Sequence, residues 1–241
     1  MSSETQKNPA VLISGCTKGI GLAIAEIFAA NGFNVAGCAR NTQQLSELFV
    51  RFSTQYPKQQ FLFETCDAAN TQELKAFAAD ALEDFGSIEV LINNAGTFEP
   101  GSILEEPEGQ FEKLMLVNLT SAYHLTRAIV PSMVQHKKGH VINICSVASI
   151  KAYPNGGSYS ISKFGLYGLN QTLREEVKEH KVRVTAILPG ATFTQSWEGA
   201  GLPEERFMST QDLAKIVWNC YELSDRTNVE QIIVRPILGD I

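Results

Sequence analysis

Short runs of valine, isoleucine and leucine recur along this chain, apolar at consecutive positions rather than at alternate ones. AVLIS at 10–14, NVAGCA at 34–39, QFLFET at 60–65, VLIN at 90–93, HVINICS at 140–146, VRVTAILP at 182–189 and EQIIVRP at 230–236 predict seven strands. A strand apolar on both faces must be covered on both faces. The intervening segments, such as GLAIAEIFAANG, TQELKAFAADALEDFG and YGLNQTLREEVKEH, place apolar residues every three or four positions and predict crossover helices. Gln110 to Pro131 reads as a further long helix, and Asn31-Gly32 and Phe85-Gly86 stand where a glycine stop is needed before the next strand. Strand alternating with helix predicts a doubly wound α/β fold, a parallel seven-stranded sheet with helices on both faces.

With 241 residues, 44% hydrophobic and 19% charged, the chain holds enough apolar material for one large domain spanning 1–241, and no linker or repeat divides it. A net charge of −6 without any basic run argues against nucleic acid or an anionic membrane as partner. No apolar run is long enough to span a bilayer, and the polar MSSETQKNP start lacks a signal-peptide core, so a soluble cytoplasmic protein is expected. The five cysteines are scattered without CxxC spacing, and His124, His136, His140 and His180 show no metal-ligand spacing. Neither disulfides nor a metal are expected. The cysteines read as small buried hydrophobes and the histidines as surface or helix-end residues.

Directly after the first strand, SGCTKGIGLAIAEIF places Gly15, Gly19 and Gly21 at the turn into a helix. Glycines there let a pyrophosphate approach backbone N–H groups at a helix N-terminus, with Thr17, Lys18 and Ile20 completing the cradle. The second strand ends in GCARN, so Ala39 stands where an acidic residue would bind a ribose 2′-hydroxyl, and Arg40 follows. Arg40 and Lys18 are either surface cations or ligands for a 2′-phosphate; with no carboxylate to repel it, the cofactor expected is NADP(H). Asp67, just past the third strand, is either an acceptor for the adenine amino group or a turn former.

Ligands of an open parallel sheet bind beyond the carboxyl ends of its strands. Asn93, Asn94, Ala95 and Gly96 close the fourth strand, Ser146 the fifth, and Pro189-Gly190 the sixth, all at that edge. In SYSISKFGLYGL, Tyr159 and Lys163 share one helix face at i and i+4. An ammonium about 4 Å from a phenol is worth roughly 4 kcal/mol at an effective dielectric near 20, enough to draw the phenol pKa from its usual value near 10 toward neutrality. Asn118, inside the apolar run VNLTSAY, is either a structural amide bonding a helix carbonyl or a link between Lys163 and solvent.

Gly15-x-x-x-Gly19-x-Gly21, NNAG at 93–96, Asn118, Ser146, Tyr159-x-x-x-Lys163 and Pro189-Gly190 occur in the order and approximate spacing of the short-chain dehydrogenase/reductase superfamily, which the chain resembles over nearly its whole length. The resemblance implies a Rossmann-type fold and a catalytic set of Asn118, Ser146, Tyr159 and Lys163. It also implies nicotinamide contacts from Thr192 through its backbone and Thr194 through its hydroxyl, although Thr192 replaces an aliphatic residue often found there. The ending VEQIIVRPILGDI is more similar to small carbonyl reductases of the sepiapterin-reductase type than to the glycine-rich endings of 3-oxoacyl carrier-protein reductases. A homodimer or homotetramer is implied, because the helices holding Asn118 and Tyr159 commonly pair between subunits.

The activity expected is hydride transfer between NADP(H) and a ketone, aldehyde or secondary alcohol of a small molecule, with Tyr159 as general acid/base. The alternatives are a 3-oxoacyl carrier-protein reductase, a non-catalytic NADP-binding redox sensor, and a sugar-nucleotide epimerase or dehydratase, the last of which needs a longer segment after the sixth strand. Val147, Ala148, Ile150, Tyr153, Phe98, Phe193 and Trp197 are candidate pocket residues, or alternatively packing residues. The stretch from Phe193 to Ser209 is expected to form a mobile flap over the site.

Overall fold

A computed structural model describes residues 8–195 and 201–240. Strands β1 (Ala10–Ser14), β2 (Asn34–Ala39), β3 (Phe61–Thr65), β4 (Val90–Asn93), β5 (Gly139–Ile144), β6 (Val182–Pro189) and β7 (Gln231–Val234) form one parallel sheet in the order β3-β2-β1-β4-β5-β6-β7. Helices α1 (Gly19–Ala30), α2 (Thr42–Gln55), α3 (Thr71–Phe85), α4 (Gln110–Met115), α5 (Ser121–His136), α6 (Gly157–Val177) and α7 (Thr210–Glu222) cover it. The fold is the doubly wound Rossmann type. β1 and β4 are neighbours in register Leu12↔Leu91, and the strand order runs outward from them in opposite directions, which opens a crevice at their carboxyl ends.

Consecutive apolar residues serve opposite faces. Val11 and Ile13 enter a core cluster with Ile24, Phe28 and Val217 of α1 and α7, while Ala10 and Leu12 enter a second cluster with Phe77, Leu125 and Leu173 of α3, α5 and α6. At about 25 cal/mol per Å², each such buried Leu or Ile contributes roughly 2 kcal/mol. Phe28 anchors the first cluster, meeting Phe33 at 4.9 Å and Trp218 at 5.2 Å edge to face. Helix starts use short polar caps: Asn41 accepts from Gln44 N–H, Asn70 from Gln72 and Glu73, and Ser209 from Asp212. Gly32 and Gly86 take φ of +88° and +79°, the left-handed stops expected of them.

Several boundaries differ from the sequence reading. β5 ends at Ile144, so Ser146 lies beyond it and caps a 3₁₀ turn at Val147–Ser149. The long helix does not end at Pro131. It passes through a π-helical turn at Leu116–Thr120 and runs to His136 with Pro131 inside it, because only one backbone N–H is lost to proline while the helix face stays packed in the core. All five cysteines are free and buried, and among the described residues no helix is long and apolar enough to cross a membrane.

His140 corrects its surface assignment. It lies in the middle of the sheet, 1% exposed, flanked by Val90 and Arg183 in register. Its Nε2 is 2.8 Å from the Thr185 hydroxyl, which itself donates to Val229 O at 2.6 Å. Thr185 has one proton, so Nε2–H is the donor and the ring is the neutral Nε2–H tautomer, leaving Nδ1 buried without a partner among the described residues. Burial, reinforced by the Arg183 guanidinium, holds the imidazole well below its usual pKa. The unfolded chain therefore binds a proton near pH 6.5 that the folded chain refuses, and the stability His140 confers is present above that pH and lost as pH falls below it. Thermal melts from pH 7 to pH 5 should show His140→Gln losing less stability than the unmodified chain, by up to about 1.4 kcal/mol per pH unit; parallel curves would exclude this titration.

Candidate active site

The glycine turn is built by close approach. Gly15 and Gly19 have φ of +73° and +58°, and Gly15 N–H and Cys16 N–H both donate to Cys38 O at 2.8 and 3.2 Å, pinning the turn to the end of β2. A Cβ on Gly21 would lie inside the Gly15 carbonyl oxygen and 2.5 Å from Asn94 Nδ2. Gly21 thus packs α1 against the strand edge and does not line the cleft. Lys18 stands at the α1 N-cap without a capping side chain, and no acid occupies the first turn, so the helix N-terminus is left for an anion.

Asn94 closes the switch point. Its Nδ2 donates to Ser14 O at 3.0 Å and Gly15 O at 2.9 Å, while the Ser14 hydroxyl accepts from the N–H groups of Asn94 and Ala95 at 3.0 and 2.9 Å. Asn93 departs from its cofactor-binding assignment. Alternation along β4 turns its side chain inward, where Nδ2 donates to Asn143 at 2.8 Å and Thr126 at 3.2 Å, and Asn143 donates onward to Asn170 of α6 at 2.8 Å.

One cleft of about 950 Å³ runs along this edge and brings together Gly15, Thr17, Lys18, Gly19, Ile20, Arg40, Asp67, Asn94, Ala95, Gly96, Ser146, Tyr159, Lys163, Pro189, Gly190, Thr192 and Thr194. Arg40 is exposed and forms no ion pair among the described residues. Lys18 bonds Gln195. Asp67 accepts from Ala69 N–H at 2.9 Å as a turn former and also lines the cleft. The base of the 193–209 segment is tied down: Phe193 N–H donates to Met208 O at 2.9 Å and Met208 N–H to Ala191 O at 3.0 Å. Of the candidate pocket residues, Phe98, Val147 and Tyr153 line the cleft. Ala148, Ile150 and Phe193 do not, Phe193 resting on Phe207, and Trp197 lies outside the described residues.

Tyr159 and Ser146 line the cleft together, and Phe98 meets the Tyr159 ring edge to face at 4.9 Å. Lys163 is 5% exposed, and its Nζ donates to Ile144 O at 3.0 Å while sitting 6.0 Å from the Tyr159 ring centre. The expected shift of the phenol toward neutrality is not seen; the phenol moves the other way. Burial pushes Tyr159 up to about 12, only partly offset by the neighbouring Ser146 hydroxyl, and burial pushes Lys163 down. The helix does place both residues on one face, but the lysine head is captured by a strand-end carbonyl.

Asn118 is wholly buried and does not line the cleft. Its Oδ1 accepts from Thr97 N–H at 2.8 Å, and its Nδ2 donates to Thr97 O at 3.0 Å and to Ser162 Oγ at 2.9 Å. The π turn that carries it ties the loop after β4 to α6. A Cβ on Gly96 would sit 3.4 Å from Asn118 Oδ1 and 3.5 Å from Lys163 Nζ, so the amide and the ammonium flank one glycine. Sequence reasoning missed Ser14, whose only signal is a hydroxyl at the end of a strand, and Arg235 with Asp240. These two form an ion pair beside Gly190 and line the cleft, brought there by a chain ending that Arg206 holds through the Gly239 and Asp240 carbonyls at 3.0 and 2.9 Å.

The short chain dehydrogenase family model matches residues 9–204. Sepiapterin reductase of Chlorobaculum tepidum is 31% identical over 239 residues, covering 96% of this chain and 97% of that protein. An alcohol dehydrogenase from the archaeon Thermococcus sibiricus, solved with 5-hydroxy-NADP, superposes with a TM-score of 0.90 at 25% identity over 97% of this chain and 98% of the other. L-sorbose reductase of Gluconobacter frateurii, solved with NADPH and L-sorbose, gives 0.87 at 26% identity over 95% and 96%.

Gly21→Ala should force α1 off the strand edge. Overpacking of this kind costs typically about 1–3 kcal/mol, so denaturant melts should show that loss together with weakened dinucleotide binding, and a melt equal to that of the unmodified chain would show that the turn tolerates a methyl group.

Proposed function

The chain belongs to the short-chain dehydrogenase family, and from that premise we propose that it is an NADP(H)-dependent oxidoreductase that interconverts a small ketone or aldehyde with its alcohol, using Tyr159 as general acid/base. The observation that carries this reading is the convergence of Tyr159, Ser146 and the buried Lys163 in the same cleft as the glycine turn.

The cleft fits an NADP dinucleotide on its own residues. Among the described residues no side chain caps the α1 N-terminus, Gly15 and Gly19 keep side chains out of the turn that lines the cleft, and no carboxylate stands at position 39. Arg40 and Lys18 supply the positive charge that a 2′-phosphate requires. Thr17, Gly19, Ile20, Ala95, Gly96 and Thr194 would line the remainder, with Asp67 at the adenine end and Pro189, Gly190 and Thr192 at the nicotinamide end. The bound cofactor supplies the hydride.

In the reduction direction the Tyr159 hydroxyl donates its proton to the carbonyl oxygen, and Ser146 holds both that hydroxyl and the oxygen. A phenol raised by burial is protonated at neutral pH, the form a general acid needs. Lys163 commits one of its three donors to Ile144 O, leaving two for ribose hydroxyls. Asn118 acts through position, fixing Thr97 and Ser162 around the tyrosine and lysine. The exposed apolar side chains Phe111, Tyr123, Ile161 and Phe164 on α4, α5 and α6 support a homodimer or homotetramer through these helices. One domain over 1–241, cytoplasmic and acting on a small molecule, completes the reading.

An NADPH-oxidation assay across ketones, aldehydes, quinones, pterins and 3-oxoacyl thioesters tests it. Tyr159→Phe should retain NADPH binding and lose at least ~10²-fold in turnover, the scale of lost general acid catalysis. In the unmodified enzyme alcohol oxidation should rise with pH, because it needs the phenolate, and that rise should vanish in Tyr159→Phe. Normal turnover by the variant would sink the mechanism. Arg40→Asp exchanges phosphate attraction for repulsion and offers a ribose acceptor, so the ratio of kcat/KM for NADPH over NADH should invert; an unchanged ratio would make Arg40 a bystander.

A further inference from the structure

Helix α6 carries both Tyr159 and Lys163, yet its formal N-cap, Gly156, has no side chain with which to cap it. The four N–H groups at a helix start need acceptors, and a long-range partner provides one. Glu106, on the loop after β4, reaches 52 residues along the chain: its Oε1 accepts from Ser158 N–H at 2.8 Å and its Oε2 from the Ser158 hydroxyl. Ser158 is 2% exposed and directly precedes Tyr159.

The socket is shaped for this carboxylate. A Cβ on Gly157, which has φ of +31°, would occupy the place of Glu106 Oε1, and a Cβ on Gly101 would lie 2.6 Å from Glu106 Cγ. Gly101 N–H also donates to Asn155 O at 3.0 Å, and Glu106 N–H to Ser102 O at 2.8 Å. The same loop carries Phe98, whose ring meets that of Tyr159 at 4.9 Å. One loop therefore holds the tyrosine from two sides, at its ring through Phe98 and at the preceding residue, Ser158, through Glu106, while Thr97, Phe98 and Glu99 form a wall of the cleft.

We propose that Glu106 is a positioning residue for the reaction, a carboxylate cap supplied from the substrate-side loop that holds the N-terminus of α6, and with it the Tyr159 hydroxyl, in register with that wall. The proposal rests on Tyr159 being the general acid. A negative charge at a helix N-terminus is favourable by itself, but its consequence here is alignment: proton and hydride transfer to one carbonyl group require the phenol to be held in place, and small displacements of an acid cost large factors in rate.

The test compares Glu106→Ala, Glu106→Gln and Ser158→Ala with the unmodified enzyme and Tyr159→Phe. Glu106→Ala should lower kcat about tenfold with NADPH affinity, measured by its fluorescence, within about twofold, and should raise the primary isotope effect seen with deuterated NADPH because hydride transfer becomes more fully rate-limiting. Hydrogen exchange across residues 156–163 should accelerate. Glu106→Gln keeps an acceptor for Ser158 N–H and a partner for its hydroxyl, so kcat and the isotope effect should return toward those of the unmodified enzyme. Should Glu106→Ala fail to fold, Ser158→Ala, which removes only the hydroxyl bond, should show a smaller fall in kcat with the same change in isotope effect. A fall in kcat that merely tracks the folded fraction with an unchanged isotope effect, a Glu106→Gln as impaired as Glu106→Ala, or unmodified kinetics in Ser158→Ala when Glu106→Ala does not fold would each overturn the assignment. Turnover retained by Tyr159→Phe would instead remove the functional reading, whereas an inactive Tyr159→Phe beside an unchanged Glu106→Ala would remove only Glu106.

Discussion

The contact on which the rest of the site depends is the clasp between Asn94 and the end of β1. A single amide donates to the carbonyls of Ser14 and Gly15, and the Ser14 hydroxyl accepts from the backbone N–H groups of Asn94 and Ala95. These groups sit at the carboxyl ends of the two strands from which the sheet order diverges, where the strand ladder has ended and backbone groups need other partners. By supplying them, Asn94 holds the glycine turn on one side of the crevice and the loop from Ala95 to Phe98 on the other. Gly21 is the complement of this clasp, because any side chain there would enter the space that the Gly15 carbonyl and the Asn94 amide occupy.

Behind the clasp, polar groups within the core are connected rather than isolated. Asn93, Asn143 and Asn170 pass hydrogen bonds from β4 through β5 to α6, and Asn118 joins Thr97 to Ser162 of the same helix. A buried amide nitrogen left without its acceptor would cost about 1–3 kcal/mol, so α6 is held at a height and rotation that keep Asn143 on Asn170 and Asn118 on Ser162. Tyr159 and Lys163 inherit that placement. The lysine then spends a donor on Ile144, and burial separates the two side chains electrically, raising the phenol and lowering the amine. The site thus sets a protonated phenol beside a desolvated amine.

Much of this was legible from local pattern. Consecutive apolar residues announced strands buried on both faces, and glycines at positions 15, 19 and 21 announced a turn against which something must pack closely. What the pattern misplaced follows from its locality. Helical spacing puts Tyr159 and Lys163 on one face but says nothing about a carbonyl of β5 competing for the ammonium. The motif NNAG treats Asn93 and Asn94 alike, whereas strand alternation sends one into the core and the other to the crevice. His140 read as a peripheral histidine because its shelter, Thr185 on a neighbouring strand, is distant in sequence.

The amino-acid sequence by itself determined the layers, the strand count, the edge at which the cleft opens and the chemical types of its residues, because periodicity and turn chemistry act over a few neighbouring positions. Only the tertiary structure decided which polar groups face the cleft, that a strand-end carbonyl holds the lysine head, that Arg235 and Asp240 line the cleft beside Gly190, and that Glu106 caps the helix bearing the tyrosine. These are matters of distance between residues far apart along the chain, and hydrogen bonds, burial and desolvation depend on that distance alone.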